Sequence, residues 1–429
     1  MPSTRTGSSS AAVRIAVLAD SDTRWKWGAL TARRLTPPGP APEISGYVLR
    51  GRATPTARQL AEVGAGIGVP REVTGAEFLR AIREEAYDVV VLALVGGTVQ
   101  ALLHGLAGMV LPRRPVVVTG YVGVVYEKLA DGLLLRHGAD VVLANSRHDA
   151  ERFRAVYEGV GADASAVVEA ALPFLGGAPY APEPGRDTVV FAAQPSVPAT
   201  REERAYLLRR LAEHARLHPD REVLLKLRSK PGEHTTHLEE HPYQKLARGP
   251  LPPNLRLVHG HMGEVLDRTD LLVTVSSTAA LEALHRRVPT AVLTDLGVRE
   301  ALGNHHFLGS GLLTSWDALD AGHRPTPDPS WLAAQGVAPD GSYATAFDAA
   351  RARVRELLDR PVPPPLAPYY TQRTAPGYLP GVLGRHRLDA EAAAPAASAV
   401  RRVLRDAARG LYRHGVQRVA PVIRRLGEL

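Results

Sequence analysis

LLVTVSSTAALEALHRRVPTAVL, residues Leu271–Leu293, decides the fold. Its first part, Leu271–Val275, is a near-continuous apolar run that ends abruptly in Ser276, Ser277 and Thr278. A helix-forming run follows, Ala279–His285, with Glu282 in its first turns; then comes Pro289 and a second apolar run, Thr290–Leu293. Strands that read as unbroken apolar runs are buried on both faces, and a strand–helix–strand succession of them makes a parallel sheet covered by helices.

Working outward, the same alternation fills most of the chain. Strands are expected at Val13–Asp20, Ile44–Leu49, Tyr87–Leu94, Arg114–Gly120, Ala139–Asn145 and Ser165–Ala171. Helical stretches fall between most of them: Ala57–Val63, Gly75–Glu84, Val99–Leu106, Val125–Arg136 and His148–Tyr157. PFLGGAPYAPEPGRD, Pro173–Asp187, is rich in Pro and Gly, has no periodicity and reads as a linker. The pattern restarts with Thr188–Gln194, a helix Arg201–Ala215, and strands Glu222–Arg228, Leu255–Val258 and Asp270–Val275. The expected organisation is a disordered tail (1–12), a first Rossmann-like domain (13–172), the linker (173–187) and a second Rossmann-like domain (188–325). A Pro-rich segment (326–394) returning across the domains and a basic amphipathic helix (395–429) complete it.

Composition sets the outer limits. With 429 residues, 45% hydrophobic and 22% charged, the chain suits two globular domains. No apolar run approaches the roughly 20 residues that span a bilayer, and MPSTRTGSSSAA lacks the apolar core of a secretory signal. The absence of cysteine removes disulfides, thiolate metal sites and a cysteine nucleophile, and fits a reducing cytoplasm. The net charge of +8 is concentrated at the end: Pro395–Leu429 holds eight arginines against Asp406 and Glu428. The rest is nearly balanced, which argues against a nucleic-acid footprint. It leaves an anionic membrane surface as the partner of the tail, with packing on the fold as the other reading.

Three hydroxyls at a strand end raise a chemical question. In an open parallel sheet ligands bind at the carboxyl ends of strands, where helix N-termini attract phosphate. Ser276, Ser277 and Thr278 would add hydroxyl donors there, and Glu282 would accept from ribose hydroxyls. The plainer reading is N-capping, which accounts for one hydroxyl of the three.

Two Rossmann-like units joined by a linker, with this motif in the second, resemble the GT-B glycosyltransferases. LRLVHGHMGEVLDRTDLLVTVSSTAALEALHRRVPTAVL, Leu255–Leu293, is the specific part; it has relatives in capsule transferases, CDP-glycerol polymerases and bacterial sialyltransferases. The whole chain also resembles a glycosyltransferase family of high-GC Gram-positive bacteria. The resemblance implies a fold of two parallel sheets facing a cleft, plus C-terminal helices, with acceptor on the first domain and nucleotide-sugar donor on the second.

On that frame the candidates fall into place. Lys226, Arg228 and Lys230, in the basic stretch Lys226–His237, converge near the expected cleft, where Arg228 and Lys230 would face donor phosphate; His259 and His261 in a glycine turn would bind phosphate or contact the base. His241-Pro242, 35 residues before Ser276-Ser277, resembles the His-Pro marker of the sialyltransferase-like branch; ADG at Ala130-Asp131-Gly132 is an imperfect version of its acidic motif. The Gly-rich stretch Ala301–Leu313, with Asn304 and His305, reads as a lid or donor loop. On the acceptor side, Asp20, Arg24, Trp25, Trp27 and Tyr121 would contact a sugar, and Asp22, Glu127 or Asp131 would be the general base. His234 and His237 lack a partnering carboxylate set, so no metal and no cofactor beyond the co-substrate is expected.

The expectation is a metal-independent GT-B glycosyltransferase, cytoplasmic and at most peripheral on the membrane. A CMP-activated 3-deoxy-ulosonic acid is the favoured donor and a cell-surface glycan or lipid-linked molecule the acceptor. Alternatives on the same fold are a CDP-glycerol or CDP-ribitol phosphotransferase, a UDP-sugar 2-epimerase and a non-catalytic nucleotide-sugar binding protein.

Overall fold

Apolar runs form two separate parallel sheets in the computed structural model. It describes residues 12–388 apart from short stretches at 37–39, 52, 65, 125–127, 231–232, 234–238, 248, 339 and 387. Glu127, His234, His237 and the basic segment from Pro395 onward lie outside the described residues.

The first sheet contains β1 (Arg14–Ala19), β2 (Glu43–Leu49), β3 (Arg71–Val73), β4 (Val89–Ala93), β5 (Val116–Gly120), β6 (Val141–Ala144) and β7 (Val167–Glu169). Their spatial order is β3-β2-β1-β4-β5-β6-β7, and every pair is parallel. The second contains β8 (Thr188–Ala192), β9 (Glu222–Lys226), β10 (Leu255–Val258), β11 (Leu271–Thr274), β12 (Thr290–Leu293) and β13 (Leu313–Thr314). Its order, β10-β9-β8-β11-β12-β13, is parallel throughout. In each sheet the chain steps outward from a central strand, crosses back and proceeds the other way. The reversal leaves a crevice at the carboxyl ends of β1 and β4, and another at those of β8 and β11.

Helices α1 (Asp22–Leu35), α2 (Ala57–Val63), α3 (Gly75–Glu85), α4 (Gly96–Ala107), α5 (Leu129–Leu134) and α6 (Arg147–Gly159) belong to the first sheet. With the second come α7 (Arg201–Leu217), α8 (Tyr243–Leu246), α9 (Met262–Leu266), α10 (Ala279–His285), α11 (Trp316–Asp320) and α12 (Pro329–Ala334). Then α13 (Asp348–Asp359) returns to the first domain. Its Phe347, Ala350, Val354 and Leu357 are buried in one cluster with Trp25, Ala29 and Ala32 of α1 and with β1, β4 and β5. Helix α14 (Leu379–Arg385) packs on α4. None of the described helices is long and apolar enough to cross a membrane.

Helix α1 corrects the expectation that Trp25 and Trp27 contact a sugar. Ser21 caps it, accepting from Arg24 N, and Asp22 is its first residue. Its indoles point inward: Trp25 is 2% exposed and Trp27 0%, so neither can stack on a sugar. Gly28 lets the helix lie against the sheet, since a Cβ there would come within 2.8 Å of Ala93 Cβ and Val17 Cγ1. Of the helix expected over Val125–Arg136, the described residues 128–136 form a helix at Leu129–Leu134, preceded by Lys128 at φ +53°, and Asp131 is exposed on it. Strands β3 and β13, of three and two residues, lack the apolar run that marks the others.

Candidate functional site

The two crevices face each other across a seam, and α1 is the element that spans it. Asp22 and Lys26, one helical turn apart, both reach the second domain. Asp22 Oδ1 accepts from Arg228 Nη2 at 2.6 Å, and the Thr23 hydroxyl also contacts Arg228. Lys26 Nζ lies 3.5 Å from Glu282 Oε2 and 4.6 Å from the centroid of the Phe174 ring. On α2, Arg58 forms a third bridge, to Glu233, while also pairing with Glu62. Burial alone would raise the Asp22 carboxyl; the Arg228 guanidinium outweighs it and holds the group below its ordinary 3.8.

From the second domain, β9 delivers its last residue, Lys226, into the seam with 6% of its surface exposed. Its Nζ donates to Leu227 O at 2.8 Å and pairs directly with no carboxylate among the described residues. Burial, helped by the nearby Arg228 charge and opposed by Glu62 and Glu282, lowers this amine from 10.5 to about 8. A buried amine is the costly state of lysine, tolerated where the charge has a use. Beside it, His259 Nε2 sits 3.2 Å from Ser229 O, and His261 lies in the field of Lys26 and Glu282. Burial keeps both imidazoles below 6.5, hence neutral at pH 7. Glu282, on the first turns of α10, is 7% exposed. The seam therefore collects Asp22, Lys26, Lys226, Arg228, His259, His261 and Glu282.

The hydroxyl turn divides its labour. Ser276, 2% exposed, places Oγ 2.6 Å from Leu302 O, and its N–H donates to Gln194 Oε1 at 3.1 Å. It ties β8, β11 and the loop after β12 together. Ser277 Oγ accepts from Ala279 N at 3.2 Å, an ordinary cap. Thr278, the N-cap of α10, makes no side-chain capping bond; its Oγ1 lies 3.3 Å from where a Cβ on Gly123, in the first domain, would be.

Several expected contacts are engaged elsewhere. Asp20 holds Arg24 at 2.8 Å and accepts from Val95 N at 3.0 Å. Tyr121 packs between Arg136, 4.0 Å away, and Phe153. Asn304 is fully buried; its amide donates to Leu293 O and Gly297 O and its carbonyl accepts from Arg299 N, so it shapes the loop and has no group left for a donor. His305 does not join the seam and lines a separate interdomain cavity. Lys230 is exposed, with its N–H donating to Glu233 at 2.8 Å. His241 is half-buried just before Pro242, the N-cap of the four-residue α8.

Lys26, Gln194 and Arg58 were missed in the sequence. A helical reading from Asp22 would have found Lys26, at i+4 on the same face. Gln194 carried the signal of a polar side chain closing an apolar strand. Nothing in the sequence marks Arg58.

Among the described residues one cluster could hold a cation: ligand atoms of His214, His218 and Asp320 lie within 4.8 Å of one another. However, His214 Nδ1 already meets Asp320 at 2.5 Å and its Nε2 meets Arg221 at 2.9 Å, so a metal would have to displace a guanidinium. The cluster joins α7 to α11, away from the seam.

Residues 15–357 match the family described as "Putative glycosyltransferase (DUF6716)". The chain belongs to that family. Among solved structures, this DUF6716 protein is similar to S. aureus MnaA in complex with UDP, at 14% identity and TM-score 0.51, with 80% of this chain and 95% of that one covered. It is similar as well to the UDP-GlcNAc 2-epimerase from Neisseria meningitidis bound to UDP-GlcNAc, at 10% identity and TM-score 0.51, covering 81% and 100%. The glycosyltransferase SnogD from Streptomyces nogalater aligns at 17% identity and TM-score 0.40, over 87% and 100%. At such identities the likeness is one of fold: two Rossmann-like domains in the GT-B arrangement. No curated protein matches the sequence. Family and fold together make the DUF6716 chain a glycosyltransferase of GT-B type.

Proposed function

We propose that this glycosyltransferase takes its sugar from a nucleoside-diphosphate donor held at the crevice of the second sheet. Lys226 and Arg228 contact the diphosphate, Glu282 the ribose hydroxyls, and the acceptor lies on the side of the first domain. The observation that carries the reading is Lys226: a buried amine at a strand's carboxyl end, with no carboxylate partner among the described residues. An arriving phosphate would supply the missing counter-charge. As the bond between the sugar's anomeric carbon and the phosphate oxygen breaks, negative charge grows on the leaving nucleotide, where Lys226 and Arg228 stabilise it. The acceptor oxygen bonds to the anomeric carbon, and its proton passes to a carboxylate. Asp22 takes that role once phosphate has drawn Arg228 away, because losing its cation restores its basicity.

A diphosphate is preferred over the CMP-linked monophosphate expected from the sequence. The CMP expectation leaned on Ser276-Ser277, and both hydroxyls are engaged within the protein. The structural relatives in complex with UDP and UDP-GlcNAc make uridine the first base to try.

The test is calorimetric titration of the purified chain with UDP, CDP and CMP, repeated with Lys226→Met and Arg228→Met. UDP binding that weakens at least tenfold in both variants supports the site. CMP binding more tightly than either diphosphate would return the reading to an ulosonic-acid donor. No nucleotide binding at all would sink it. Incubating native protein with UDP-GlcNAc alone, followed by NMR, separates chemistries: slow hydrolysis fits a transferase, whereas a C2 epimer would replace it with an isomerase.

A further inference from the structure

The central strands of the second sheet end in register. Lys226 on β9 pairs with Ala192 on β8, and Ala192 pairs with Thr274 on β11. Two residues further along these three chains come Arg228, Gln194 and Ser276. Gln194 therefore leaves β8 between the guanidinium and the hydroxyl turn, at the crevice where the strand order reverses. It is half-buried there.

One bond fixes which way its amide faces. The Ser276 N–H can only donate, and it meets Gln194 Oε1 at 3.1 Å. The Ser276 hydroxyl, 3.2 Å from the same oxygen, is committed at 2.6 Å to Leu302 O. Oε1 is thus held on the β11 side, and the two N–H donors of Nε2 are turned away from Ser276. Among the described residues Nε2 has no acceptor, and it is not sealed from solvent. The loop that follows is arranged for an anion. Arg204, 1% exposed, gathers the carbonyl oxygens of Gln194, Pro195 and Pro198 on Nη1 at 3.0, 3.1 and 3.3 Å, while its Nη2 pairs with Glu239. Three oxygens that would repel an anion are engaged inside the domain.

We infer that Gln194 is a donor-binding residue whose amide nitrogen donates to a diphosphate oxygen of the nucleotide, beside Lys226 and Arg228. With Oε1 occupied, the side chain offers donors only. A phosphate oxygen suits it, because it is purely an acceptor; a ribose hydroxyl brings a proton that needs an acceptor, which this amide no longer has. An uncharged donor also adds a hydrogen bond without adding to the repulsion between Lys226 and Arg228. The assignment rests on the donor reading above, while the orientation of the amide does not.

The experiment is calorimetric titration of UDP into the full chain as native protein, Gln194→Glu, Gln194→Met and Lys226→Met, with thermal melting of each protein alone. Glutamate keeps an oxygen for the Ser276 N–H and replaces the N–H donors with a second oxygen; methionine removes both ends of the amide without adding charge. Both Gln194 variants should weaken UDP about tenfold or more, glutamate the more strongly, and Gln194→Glu should melt no lower than native protein. Uridine, which has no phosphate, should give the same saturation-transfer NMR signals with native protein and both Gln194 variants. A purely structural Gln194 would weaken UDP in Gln194→Met alone, and the field of a new charge would weaken it in Gln194→Glu alone. Either result, or uridine lost in step with UDP, would overturn the proposal. UDP weakened by Lys226→Met but by neither Gln194 variant removes this assignment and leaves the donor reading standing; no UDP binding by native protein removes both.

Discussion

Lys226→Met should make the protein more stable and less able to hold its donor. Methionine follows the lysine stem closely but carries no charge. Lowering an amine from 10.5 to about 8 corresponds to a burial penalty of about 3 kcal/mol at ~1.4 kcal/mol per tenfold. Losing the bond from Nζ to Leu227 O returns about 1 kcal/mol. The net gain at pH 7 is then about 2 kcal/mol, or about 4–8 °C at ~2–4 °C per kcal/mol. The sign follows from proton counting. The unfolded chain keeps the proton up to 10.5 and the folded one only to about 8, so the native protein gains stability as pH rises between those values. Below about 8 both forms are protonated and the penalty is complete. The advantage of the variant should therefore be full at pH 7 and close to zero by about pH 10. Thermal and urea unfolding of both proteins at the two pH values measure this, with UDP titration at pH 7 alongside. A variant less stable at pH 7, or a gain that does not fade at high pH, would refute the buried-charge argument. Unchanged UDP affinity would refute the use assigned to the charge.

The hydroxyl turn gives a contrast. Ser276→Ala removes two buried contacts and should cost about 1–3 kcal/mol in unfolding experiments, whereas Thr278→Ala should leave stability within about 0.5 kcal/mol. Equal destabilisation would mean that Thr278 has a structural bond after all. Asp22→Asn should free Arg228, tighten UDP binding about 3–10-fold and slow transfer, a coupling of about 1 kcal/mol; UDP affinity unchanged from native would show that the pair does not compete with donor. Because the folded Asp22 carboxyl lies below 3.8, its contribution to domain closure is complete above that pH and disappears as pH falls through the folded value. Small-angle scattering should then show an opening on acidification that is absent in Asp22→Asn.

Much of the framework was legible because buried parallel strands carry their signal in a handful of adjacent residues. Val89–Ala93 and Leu271–Thr274 are buried at every position and read as strands at sight. What failed to read is what depends on partners. DTRWKWGALTARRL hides its helical period because its two indoles, two residues apart, both find room in the core. The gathering at the seam was legible for Arg228, His259, His261 and Glu282, which follow strand ends that the pattern locates. Asn304 and Ser276 looked like ligand groups because polar residues in Gly-rich or strand-end turns often are; the backbone groups they satisfy come from residues up to 26 positions away. Spacing along the chain does not show such a partner.

The return of α13 has a consequence for how the chain is made. Trp25, Ala29 and Ala32 share a cluster with Phe347, Ala350, Val354 and Leu357. On the ribosome, the first domain leaves the exit tunnel with that surface bare, and its covering helix emerges only after the whole second domain. At ~5–20 residues per second, the interval between Leu172 and Leu357 lasts about 10–40 s. The domain that begins synthesis first is thus completed last, and an indole-rich face waits in the open while its neighbour folds.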